Sequence, residues 1–157
     1  MPTSFLRTKL FGATMSGQDE LVNDFIAEVK TLQLELKAIL SAQLKTPKMD
    51  KALFEKFGQL IDRIYGTATT LGYAEIGKYL YAVKSVSYLS SQCDREVGQK
   101  KALRMMIDCV DYVEKIHMHL NNKDEMKNLY RLFVVEIAKA DRMAKTEFQN
   151  ITRKSVA

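Results

Sequence analysis

The 157-residue chain carries a net charge of +5, and its 46% hydrophobic and 27% charged residues are the balance of one globular domain. It lacks both a run of about 18 apolar residues that could cross a membrane and the early apolar run of about 7–15 residues that a signal peptide needs. Two cysteines, Cys93 and Cys109, lie far apart without neighbouring cysteines or histidines, so the sequence predicts a reducing compartment, the cytoplasm, and no zinc site.

The first 17 residues do not share the periodicity of the rest of the chain. They include the stretch "SFLRTKLFG", which is basic and weakly amphipathic. We predict an arm over 1–17 that frays or packs loosely on the domain, with contact to a partner or a membrane as the alternative. A membrane contact is expected only through this arm.

Apolar residues recur at steps of three and four from residue 18 onward, which predicts an all-α protein. The predicted helices run from about Gln18 to Leu44, from Asp50 to Gly72, from Ile76 to just beyond Val86, through Leu103 to Leu120, and from Met126 to Ala140, fading through Phe148 and Ile151. Their apolar faces are predicted to include Leu21, Ile107 and Val134. The short connections predict an up-down antiparallel bundle of about five helices over 18–153, followed by a tail over 154–157.

The second predicted helix carries an unusual polar face. Asp62, Tyr65, Gly66 and Thr69 follow one another at spacings of three and four, offset from the core stripe. A glycine inside a helix costs about 1 kcal/mol relative to alanine, so its missing side chain must serve something. Close approach of a neighbouring helix and close approach of another protein are the two explanations.

The segment "DRIYGTATTLG" from Asp62 to Gly72 resembles a motif of histidine phosphotransfer domains, including the amino-terminal domain of chemotaxis histidine kinases. The family pattern is H-x-(L/I)-K-G-x-A-x-x-(L/F)-G, and the matching residues are Ile64, Gly66, Ala68, Leu71 and Gly72. The helix order and the acidic opening "DELVNDFIAEVKTL" are also similar to the family. The resemblance implies a four-helix core with an additional helix.

Four positions depart from the family pattern. The phosphoacceptor histidine aligns with Asp62 and the neighbouring lysine with Tyr65, while Tyr81 and Lys84 hold the places of a histidine and a glutamate on the third helix. The alignment therefore predicts a partly exposed Asp62–Lys84 ion pair where the family has an imidazole and a carboxylate. A carboxylate repels an incoming phosphoryl group, so no catalysis and no cofactor are expected.

The resemblance thus implies a non-catalytic signalling adaptor that binds a receiver domain or a histidine kinase. The predicted contact residues are Asp62, Tyr65, Gly66, Thr69, Tyr81 and Lys84. One alternative is an active phosphotransfer protein that uses His117 or His119, which lie about 200° apart around one helix and cannot share a site. Another is a structural or self-associating module, with the oligomeric state left open.

Other patterns are weaker. "GQKKALR", from Gly98 to Arg104, is a basic helix start that could touch phosphate, but it lacks interleaved aromatic residues, so nucleic-acid binding is a minority interpretation. Methionines such as Met105, Met106 and Met118 are predicted to fill the core, with an adaptable binding surface as the alternative. No acidic pair has the spacing of a carboxylate-bridged metal site, so no metal is predicted.

Overall fold

The computed structural model describes residues 17–151, and these residues form five α-helices without a strand, which confirms the all-α bundle. The helices are α1 Gly17–Lys45, α2 Lys51–Thr70, α3 Ala74–Ser90, α4 Glu96–His119 and α5 Lys123–Thr146. The predicted arm and tail lie outside the described residues, apart from Gly17, which is the first residue of α1. None of the described helices combines the length and apolar content needed to cross a bilayer.

The helices pack as a four-helix core with a fifth helix on one edge. Helix α1 packs against α2 and α4, and α3 packs against α2 and α4 from the other side. Helix α5 contacts α3 and α4, and among the described elements it contacts neither α1 nor α2. Helices α2 and α5 therefore flank α3 without meeting each other, which leaves a groove over the outer face of α3.

Local signals explain both ends of α2. The Asp50 carboxylate accepts a hydrogen bond from the Ala52 backbone N–H at 2.9 Å, which caps the helix start. At the other end Gly72 adopts a φ of +86°, and the Tyr73 N–H donates to the Ala68 carbonyl at 2.9 Å. This is a glycine C-cap of the Schellman type, and it turns the chain directly into α3.

An aromatic cluster connects α5 to the core. The Phe133 ring stacks on Tyr79 of α3 with centroids 4.3 Å apart, and it meets Tyr112 of α4 edge-on at 5.7 Å. All three rings are buried or half-buried. Because Phe133 contacts both neighbouring helices, it fixes the position of α5 on the bundle.

Several predicted core residues lie on the surface instead. Leu21, Ile107 and Val134 were expected on apolar helix faces, but they are exposed, with Val134 at 64%. Periodicity gives the direction of a buried stripe and not its width, so residues at its margin were misassigned. Met118 is also exposed, which corrects its assignment to the core, whereas Met105 and Met106 are buried as predicted.

Candidate functional site

An ion pair joins α2 to α3 at the predicted site. The Lys84 Nζ lies 2.6 Å from the Asp62 Oδ1, so the contact predicted from the alignment is present. The two side chains differ in exposure, at 8% for Lys84 and 32% for Asp62. The pair is thus partly exposed, as the alignment predicted, but only through the Asp62 carboxylate; the Lys84 ammonium is a nearly buried cation.

Two tyrosines complete the surroundings of the Lys84 ammonium. Its Nζ lies 4.5 Å from the ring centroid of Tyr65 and 5.1 Å from that of Tyr81, within the range of cation–π attraction. The two rings also meet each other, with centroids 5.8 Å apart and planes tilted by 54°. A carboxylate and two aromatic faces thus stabilise a charge that is costly to bury alone.

The negative charge of Asp62 also acts on the hydroxyl group of Tyr88. Burial raises the pKa of Tyr88, and the negative charges of Asp62 and Glu55 raise it further. The phenol therefore stays neutral at ordinary pH. None of the groups around Asp62 is a histidine, so this cluster has no imidazole to accept a phosphoryl group.

Gly66 lies on the surface beside this cluster. A Cβ built on Gly66 would meet no atom within 4 Å, so of the two explanations for this glycine the close approach of a neighbouring helix is wrong. The close approach between α2 and α3 occurs instead at Gly77 of α3, where a Cβ would lie 2.8 Å from the Thr69 Cγ2. The Thr69 hydroxyl donates toward the Tyr65 and Gly66 carbonyls, each at 3.0 Å. Packing within the described chain therefore does not account for Gly66.

We expect the replacement Gly66→Ala to raise the free energy of unfolding by about 0.5–1 kcal/mol, because alanine restricts the unfolded chain and favours helix. Gly58 on the same helix is the matched control. A Cβ there would lie 3.2 Å from the Ser87 Cβ and from the Tyr88 ring, so Gly58→Ala should bring no gain. Urea denaturation of the two variants measures the difference, and an equal gain at both positions would contradict the assignment of Gly66 to open surface.

A groove of about 560 Å³ begins at the same cluster. Tyr65, Thr69 and Tyr81 line one wall, and α3 supplies a floor that includes the small residues Ala74, Gly77, Ala82 and Ser85. The other wall comes from α5, through Ile137, Ala140, Asp141 and Ala144. Sequence reasoning did not find the α5 wall, because no motif indicates which face of a fifth helix will border α3.

The two histidines lie elsewhere, on the last turn of α4. The His117 Nε2 is 2.7 Å from the Gln33 Oε1, and its Nδ1 is buried. Burial also lowers the pKa of His117, helped by the positive charges of Lys30 and Lys37 and opposed by Glu114. His117 is thus a half-buried, helix-terminal residue whose side chain contacts Gln33 of α1. His119 is partly buried and lines a separate small cavity of about 120 Å³.

No other nucleophile or metal site emerges from residues 17–151. Burial raises the pKa of the Cys109 thiol to about 12, so the reactive thiolate is scarce at neutral pH. Cys93 is buried as well. Among the described residues, no group of three or more histidine, cysteine, aspartate or glutamate side chains could hold a metal ion.

Comparison of the chain with protein-family models, with curated proteins and with solved structures gives no match. The resemblance to histidine phosphotransfer domains therefore rests on the motif from Asp62 to Gly72 and on the order of the helices. Any further conclusion about function depends on the geometry of the cluster formed by Asp62, Lys84, Tyr65 and Tyr81.

Proposed function

We propose that this protein is a non-catalytic relative of histidine phosphotransfer domains, acting in the cytoplasm as an adaptor that binds a receiver domain or a histidine kinase. The observation that carries the proposal is the Asp62–Lys84 ion pair of 2.6 Å beside an exposed glycine. In the alignment with the family motif, Asp62 and Lys84 stand where the family has its phosphoacceptor and the partner of that residue.

The pair has the wrong chemistry for phosphoryl transfer. The Asp62 carboxylate repels an incoming phosphoryl group, and the Lys84 ammonium is already held by that carboxylate and by two tyrosine rings. The site would therefore bind the partner without taking a phosphoryl group from it.

The shape of the surface suits a protein partner. Gly66 leaves open space over α2, so a partner backbone can approach the helix there. Tyr81 is exposed and Tyr65 is half-buried, and tyrosine gives interfaces a large contact area together with a polar group. The groove between α2 and α5 begins at these rings and offers apolar walls for side chains of the same partner.

We expect Gly66→Arg to abolish partner binding while the fold is kept, because a Cβ at this exposed position meets no atom within 4 Å and the rest of the side chain can extend into the open space over the site. Wild-type protein and the variant would be immobilised in parallel, exposed to lysate of the native host, and the captured proteins identified by mass spectrometry. A receiver domain or a histidine kinase captured by the wild type alone would support the proposal, with binding then measured on the purified partner.

Ala42→Arg is the matched control, because Ala42 is an exposed helical residue on α1 and the substitution adds the same charge. The control should bind as the wild type does. Identical captures by the wild type and Gly66→Arg would overturn the proposed face. Acid-labile phosphate on the chain after incubation with a phosphorylated receiver would instead show an active phosphotransfer protein.

A further inference from the structure

A second groove, of about 460 Å³, runs between α4 and α5. Four basic side chains line it, and they come from both helices: Lys101 and Arg104 from α4, Lys139 and Arg142 from α5. Lys101 and Arg104 belong to the "GQKKALR" segment. Packing of the two helices thus brings a basic helix start and a distant part of the chain into one surface.

The lysines and the arginines of this groove differ in their partners. Lys101 lies 2.7 Å from a carboxylate oxygen of Glu147, and Lys139 lies 2.9 Å from one of Glu136. Among the described residues, no carboxylate lies within 4.0 Å of the guanidinium of Arg104 or Arg142. Two uncompensated guanidinium groups therefore line the same groove.

Two arginines without carboxylate partners in one groove favour an anionic ligand. A guanidinium presents a planar set of N–H donors that matches a carboxylate or a phosphate with two parallel hydrogen bonds. A carboxylate or phosphate bound at either arginine would gain the attraction of a guanidinium that no described carboxylate approaches within 4.0 Å. The adjacent lysines are already paired, so the positive charge of the groove comes from the two arginines, and the Asp108 carboxylate, which also lines the groove, offsets part of it.

Two further features distinguish between classes of anionic partner. Met105 and Met143 also line the groove; Met105 belongs to the core, but Met143 is half-buried and provides an adaptable apolar contact typical of protein interfaces. Asp108 and Glu136 line it too; Glu136 is paired with Lys139, but among the described residues the Asp108 carboxylate has no such partner and would repel the continuous phosphates of a nucleic acid. A polypeptide can place a carboxylate at each arginine and an apolar side chain on Met143 while leaving Asp108 uncontacted.

We propose that the α4–α5 groove binds an acidic segment of a protein partner, with Arg104 and Arg142 as the residues that receive its carboxylates. This surface shares no residue with the site around Asp62, so the inference goes beyond the proposed function and does not depend on it. An adaptor with both surfaces could hold two partners at once.

The test uses the full chain and a fluorescently labelled short peptide of alternating glutamate and leucine, with binding followed by fluorescence anisotropy at low salt. We expect the double variant Arg104→Gln, Arg142→Gln to bind at least about tenfold more weakly, since each substitution removes a charge-assisted pair with a peptide carboxylate. The double variant Lys30→Gln, Lys127→Gln loses the same charge at exposed sites outside the groove and should bind nearly as the wild type does.

Three outcomes would overturn the proposal. Equal weakening in both double variants would show that the peptide responds only to the net charge of the protein. Equal binding of a peptide with glutamine in place of glutamate would show that the groove does not recognise the carboxylates. Tighter binding of a single-stranded oligonucleotide, lost in the arginine variant alone, would make the groove a nucleic-acid surface. Circular dichroism of both variants confirms that each is folded before binding is compared.

Discussion

Replacing Phe133 by alanine is expected to lower the free energy of unfolding by about 3–5 kcal/mol, the usual cost of removing a buried aromatic ring. The Phe133 side chain is 1% exposed, and its ring lies parallel to that of Tyr79, with an interplanar angle of 1°. The same ring meets Tyr112 at 83°. Alanine would remove both contacts and leave a cavity where α3, α4 and α5 meet. Urea denaturation measures the loss.

Val134→Ala is the control, since this neighbouring side chain is largely exposed and should change stability by no more than about 0.5 kcal/mol. Helix α5 contacts only α3 and α4 among the described helices, so hydrogen exchange should accelerate in α5 before it accelerates in α2. A loss below about 1 kcal/mol for Phe133→Ala, outside the range of such substitutions, would show that other contacts hold α5 in place.

The number and order of the helices could be predicted because their boundaries are encoded locally. Asp50 caps α2 and Gly72 ends it, and both were recognisable as cap residues. Helix α4 begins at Glu96, two residues before the basic helix start predicted at Gly98. Its first turn contains Gly98, where a Cβ would lie 3.3 Å from the Phe148 ring. That contact depends on the packing of a segment far along the chain, which periodicity does not reveal.

The residues of the candidate site could be predicted from local spacing, but their burial could not. Counting from Gly72 along the family motif singled out Asp62 and Lys84, but whether the two side chains meet depends on the register between α2 and α3, which is seen only in the packed structure. The burial of Lys84 depends on the orientation of the two tyrosine rings, which spacing does not give. The unpaired arginines of the α4–α5 groove, and the hydrogen bond between Gln33 and His117, arise only when distant helices pack.

Asp62→Ala should destabilise the protein more than Lys84→Met does, although both substitutions remove the same ion pair. Alanine at position 62 leaves the nearly buried Lys84 ammonium without its carboxylate, which we expect to cost about 2 kcal/mol. Methionine at position 84 keeps the length of the side chain and leaves Asp62 with about a third of its surface in water, so we expect a cost below about 1 kcal/mol. Urea denaturation of both variants at neutral pH and low salt gives the comparison.

The double variant Asp62→Ala, Lys84→Met completes the cycle and separates the attraction within the pair from the penalty of an unpaired cation. If the penalty dominates, the double variant is more stable than Asp62→Ala alone, because the uncompensated ammonium is gone. Equal and additive losses in the single variants would show that the two groups are not coupled, despite their separation of 2.6 Å. If the double variant regains the free energy of unfolding that Asp62→Ala loses, Asp62 serves chiefly to hold Lys84 between the tyrosine rings. The ion pair would then shape the surface that a partner meets, and the bundle would keep its stability without it.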